Sequence, residues 1–85
     1  MSDTKKILVI ARDRKTEALR MATGLTLLDD AVSVAAWGGL DRDDEEVEMQ
    51  LEALDFSDVP VTDLATDAAG ELAGLINESD AVYVV

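Results

Sequence analysis

"KILVIARDRKTEALRMATGLTLLDDAVSVAAW", residues 6 to 37, is the stretch on which the fold turns. It opens with Lys6 to Ile10, an apolar, β-branched run of the kind a strand buried on both faces requires. The loop "ARDRK" follows and leads into a helix. There Ala18, Met21, Ala22, Leu25 and Leu28 recur at helical spacing on one face, and Asp29 and Asp30 are expected to end it. Leu19 and Leu27 lie elsewhere around that cylinder. The segment Glu17 to Asp30 therefore has an apolar surface wider than packing on one sheet needs. A second strand, "AVSVAAW" (Ala31 to Trp37), closes the unit at Gly38-Gly39. Strand, helix and strand within about thirty residues is the signature of a parallel crossover.

The remaining chain repeats the alternation. Acidic residues Asp43 to Glu46 crowd one turn, where negative charge favours a helix N-terminus, and Val47, Leu51 and Leu54 continue a one-faced helix. "VPVTDL" (Val59 to Leu64) reads as a third strand with Pro60 near its start. Thr66 or Asp67 is placed to cap a third helix whose buried face is Ala69, Leu72, Ala73 and Ile76. "DAVYVV" (Asp80 to Val85) is the fourth strand. The order βαβαβαβ with short connections predicts one α/β domain over residues 1–85. Its expected architecture is a three-layer α/β/α sandwich around a small, mainly parallel sheet of about four strands.

Composition narrows the chemistry. The 85 residues contain no cysteine and no histidine, which removes disulfides, thiolate zinc, a thiol nucleophile and the commonest general base. Only 4% of residues are aromatic, so the core is aliphatic, and so thin a core gains from a partner subunit. All seven basic residues lie at or before Arg42, and residues 43–85 hold 13 acidic residues against none, within a net charge of −12. Such a surface repels phosphate backbones and argues against nucleic acid. The five-residue apolar run behind Lys5 and Lys6 is too short for a signal-peptide core or a membrane span, so the expected location is the cytoplasm.

Several residues stand out against this background. Arg12, Arg14 and Lys15 gather positive charge at the carboxyl end of the first strand, and with the Gly38-Gly39 turn they form a candidate anion site. Solvation, or a salt bridge to an acidic helix of another subunit, accounts for the same residues. Leu19, Leu27 and Trp37, with Gly70 and Gly74 spaced four apart on the third helix, are candidate oligomer contacts. Trp37 also serves as core filler or as a stacking platform for a ligand. Close helix–sheet packing is the plainer account of the two glycines. "DRDDEEVEMQLE" (Asp41 to Glu52) mimics a calcium loop, but Glu46 stands where a glycine is needed; a solvated acidic helix explains it better, and no metal site is expected. A phospho-receiver domain is excluded by the absence of any lysine after Lys15.

The segment "KKILVIARD…TEALRMATGLTL…VSVAAWGGL" resembles the opening of the DsrE/DsrF-like sulfur-relay proteins. Ala18, Leu19, Arg20, Met21, Ala22, Gly24 and Leu25 match that family's first helix. Gly38, Gly39 and Leu40 match its turn, and "SDAVYVV" is similar to its last strand. The resemblance is good over Lys5 to Leu40 and extends through the middle third only as an order of elements. It implies an assembly with copies or paralogues, commonly a hexamer built from dimers or trimers. It also implies persulfide transfer on a cysteine after the third strand. The corresponding region here, Asp63 to Gly70, offers only hydroxyls and carboxylates. The resemblance thus implies a member without that chemistry and without a cofactor: a structural or regulatory subunit of a sulfur-relay-related assembly, not an enzyme of that kind. The alternative is a small-anion or nucleotide-type binding module built on the first strand–helix loop. A cysteine-independent enzyme would have only carboxylates, hydroxyls and Tyr83 to work with.

Overall fold

The apolar run after Lys5 becomes β1 (Lys6–Ala11), the most buried strand of the molecule. The computed structural model describes residues 5–28 and 31–85. Asp29 and Asp30, expected to end the first helix, and the side chain of Leu28 lie outside the described residues. The other elements are α1 (Lys15–Leu25), β2 (Ala31–Trp37), α2 (Glu45–Phe56), β3 (Val61–Leu64), α3 (Ala69–Glu78) and β4 (Ala81–Val84). All strand pairs are parallel, in the order β3-β2-β1-β4. Ile7 lies level with Val32 on one side and Ala81 on the other.

This order places the helices. The first two crossovers step the same way across the sheet, and the third reverses to the far side of β1. Right-handed connections then put α1 and α2 on one face and α3 on the other. The two cores agree with that geometry. Ile7, Val9, Ala11, Val32, Val34 and Ala36 point to the α1/α2 face and pack with Ala18, Leu19, Ala22, Val47 and Leu54. Leu8, Ile10, Ala35 and Leu64 point to the α3 face, with half-buried Trp37, Leu72, Leu75 and Val82 against them.

The width of the apolar surface on α1 is explained within the chain. The helix touches both the sheet and α2, so apolar residues on two of its sides are covered. Leu19 is fully buried there and is a core residue, not the subunit contact its spacing suggested. Leu27, in a single 3-10 turn over Thr26–Leu28 that follows α1, is 83% exposed.

The α2 termini are made by local chemistry. The Asp44 carboxylate accepts from the N–H groups of Glu46 (2.8 Å) and Val47 (3.4 Å), with Glu45, Glu46 and Glu48 completing an acidic first turn. At the other end Asp58 adopts φ +59°, and the Val59 N–H donates to the Leu54 carbonyl at 2.9 Å. That six-to-one bond, with Val59 and Leu54 both buried, is a Schellman closure. It takes Val59 into the cap, and β3 accordingly starts at Val61 instead of Val59.

The third helix departs further from expectation. Neither Thr66 nor Asp67 caps it; Ala68 occupies that position with no side-chain cap. Residues Ala65 to Ala68 form a turn closed by the Ala68 N–H on the Ala65 carbonyl, which delays the helix. The face toward the sheet is Ala68, Leu72 and Leu75, while Ala69, Ala73 and Ile76 are exposed. No residue of α3 is fully buried. Among the described residues, no helix is long and apolar enough to cross a membrane.

Candidate functional site

The sheet order creates one place where chain direction reverses. From β1 the connections run toward β2 and β3, while β4 lies on the opposite side of β1 and is reached over the other face. The carboxyl ends of β1 and β4 therefore flank the switch point at which open α/β sheets form their crevices. The loop Arg12–Arg14 lies there. Its three backbone N–H groups converge on the Val85 carbonyl oxygen, at 2.9 Å from Arg12, 3.0 Å from Asp13 and 3.4 Å from Arg14. The concave set of donors is thus satisfied from within the chain and ties β1–α1 to the end of β4. The side chains point away from this bond: Arg12 reaches Asp13 at 3.9 Å with both side chains mostly in water, and Arg14 is exposed.

Lys15 takes a different path. Its ammonium donates to the Gly39 carbonyl, joining the start of α1 to the turn after β2. Gly38 and Gly39 both have φ +84°, a conformation in which a Cβ is strained. The Gly38 N–H donates to the Leu64 carbonyl at 2.7 Å, and a Cβ on Gly38 would lie 3.6 Å from the Lys15 Nζ and 3.7 Å from Thr66 Cγ2. Lys15, Gly38, Gly39 and Thr66 are consequently neighbours at the carboxyl edge. Arg12 and Arg14 belong with Val85 at the β4 side of the same edge. Thr66 was legible in the sequence only as a helix cap; its nearness to Gly38 follows from the β2–β3 pairing.

The region from Asp63 to Gly70 is exposed apart from Leu64 and half-buried Ala68. Asp63 receives a hydrogen bond from Arg42 at 2.9 Å, an ion pair that fastens the loop after β2 to β3. Arg20 pairs with Glu17 and, on α2, with Glu46. Each of these pairs is half in water and contributes at most about 1 kcal/mol.

Of the candidate contact residues, Trp37 is half-buried on the α3 face, and Gly70 and Gly74 are exposed with nothing within 4 Å of an added Cβ. Close packing inside the chain is therefore not the reason for either glycine. The described residues bury no polar or charged side chain and include no acidic group of three that would hold a metal ion. A surface hollow of about 360 Å³ lies at the opposite, amino end of the strands, lined by Ala31, Val32, Ser33, Val59, Pro60 and Ser79 among others. Lys6, Asp58 and Glu78 also border it.

No protein-family profile matches the chain, and no curated protein does. Among solved structures, it is similar to the yeast protein ynu0, YNL200c, at 24% sequence identity and a TM-score of 0.62. The match covers 86% of this chain and 31% of the yeast chain, so the chain spans less than a third of that protein's length. At this identity the likeness concerns the fold alone.

Proposed function

We propose that the chain is a non-catalytic, DsrE/DsrF-like oligomeric subunit, structural or regulatory in a sulfur-relay-related assembly. One observation carries the reading: the α3/β4 side of the molecule is left half-covered. Helix α3 buries no residue completely, and Ile76 (39%) on α3 and the adjacent Tyr83 (40%) and Val84 (58%) on β4 stand in water. An aliphatic domain of this size gains from covering such a side with a partner. The absence of cysteine and histidine leaves assembly, not sulfur chemistry, as its contribution. Native mass spectrometry at micromolar concentration tests the reading. A dimer, trimer or hexamer is expected, and a monomer alone would sink it. Mixing with a cysteine-bearing paralogue should then change the rate at which that paralogue passes persulfide.

A second reading, a small-anion binding module, draws on the switch-point position of Arg12, Arg14 and Lys15 beside Gly38 and Gly39. Exposed Arg14 is its foremost residue. Phosphate or sulfate should raise the melting temperature of the wild type and not of Arg14→Ala; no rise with either ion would dispose of it.

A further inference from the structure

The two edges of the sheet are built differently. At the β3 edge, Pro60 precedes the strand, Thr62 and Asp63 are exposed, and Arg42 is salt-bridged across to Asp63. Proline and charge are the usual protections of an edge. The β4 edge has neither: Ala81 to Val84 is uncharged, β-branched or aromatic at three of four positions, and half-exposed at its end. Among the described residues, β4 has a neighbour on one side only.

The hydrogen-bond phase of β4 fixes which of its groups face outward. The Val85 N–H donates to the Ile10 carbonyl, and its own carbonyl accepts from Arg12, so residue 85 is turned toward β1. By alternation Tyr83 and Ala81 also face β1, and the N–H and C=O groups of Val82 and Val84 face away from it. Side chains alternate too: Val82 belongs to the α3 face, and Ala81 and Val85 to the α1/α2 face.

We infer that a second copy of this chain pairs its β4 antiparallel to this one, about a two-fold axis normal to the sheet at Tyr83. This rests on the assembly reading and names its surface. Such an axis keeps each face on its own side, so directly opposed residues must share a face. Centring on Tyr83 sets Val82 opposite Val84 of the second copy and Ala81 opposite Val85, so every opposed pair is apolar. It also matches the outward groups: Val82 and Val84 form two hydrogen-bonded pairs, and Tyr83 meets its counterpart in the close, non-hydrogen-bonded position. Centring on Val82 instead would set the Asp80 carboxylate against the apolar Val84.

Charge favours the same occupant. The chain is strongly acidic, so a second copy is repelled wherever acidic surfaces meet. Antiparallel pairing avoids this at β4. The basic loop Arg12–Arg14 is tied to the carboxyl end of β4 through Val85, and the acidic residues Glu78 and Asp80 lie at its amino end. Reversal brings the basic end of each copy to the acidic end of the other. The two α3 helices, with exposed Gly70, Ala73 and Gly74, come to lie on one face of a continuous eight-stranded sheet.

Two substitutions test the pairing at about 0.15 M salt, where the Debye length is roughly 8 Å. Val84→Lys places charge on an exposed edge position and should halve the native mass while circular dichroism stays unchanged. Tyr83→Cys introduces the sole thiol of the chain at the axis. Close antiparallel pairs have Cα atoms about 4.5 Å apart, within the range a disulfide spans. A covalent dimer should form in air and disappear with reductant, whereas Leu27→Cys, more accessible but remote, should not cross-link. If the wild type is oligomeric but Val84→Lys keeps its mass, or Tyr83→Cys cross-links no better than Leu27→Cys, the pairing is wrong and the assembly reading survives. A monomeric wild type overturns both.

Discussion

Leu19 shows how one residue can be misplaced by a correct pattern. Its angular position on α1 is off the main apolar stripe, so periodicity alone assigns it outward; α2 covers that side and buries it fully. Truncating a packed leucine loses its transfer energy and leaves a cavity, at about 2–5 kcal/mol. Leu19→Ala should therefore lower the urea midpoint sharply without a change in slope. An interface leucine would instead alter the mass distribution and leave the midpoint in place. Asp58 makes the opposite case. It holds a left-handed conformation (φ +59°) at the end of α2, where a non-glycine residue is strained by up to roughly 1–2 kcal/mol and a negative charge opposes the helix dipole. Asp58→Gly should raise stability by about 0.5–1 kcal/mol in the same urea titration, the Schellman bond from Val59 being kept.

Among the elements, α3 is the least secured. It has no side-chain cap and no fully buried residue, and it carries two glycines whose missing side chains nothing in the chain requires. Glycine in a helix interior costs about 0.8–1 kcal/mol relative to alanine. Gly74→Ala should accordingly raise the melting temperature of the folded unit. If native mass falls at the same time, the glycine serves close approach by a second helix; if mass is retained, α3 meets solvent at that point. The rotation of its buried face from Ala69, Ala73 and Ile76 to Ala68, Leu72 and Leu75 has a simple origin. Alanine fits either side of a helix, so the large side chains define direction, and Leu72 with Leu75 points to the sheet while Ile76 is left exposed.

Over the whole molecule, charge is the dominant surface property. A net charge of −12 on one small domain is self-repulsive, and the four ion pairs among the described residues are all substantially exposed and offset little of it. Raising sodium chloride from about 10 mM to about 0.5 M shortens the Debye length from roughly 30 Å to under 5 Å and should raise the melting temperature. Each kcal/mol of relief corresponds to about 4–8 °C in a domain of this size. A fall with salt would mean that the Arg20 and Arg42 pairs outweigh the general repulsion. The alternation of elements, the aliphatic core and the acidic cap of α2 were all determined by sequence, because period, composition and capping act over a few neighbouring residues. So were the bounds of β2, matched from Ala31 to Trp37. Strand order was not, and neither was the meeting of Lys15 with Gly39, the closure of Arg12–Arg14 on Val85, or the bare edge of β4. These depend on which way each crossover steps across the sheet, a choice made by packing between residues far apart in the chain.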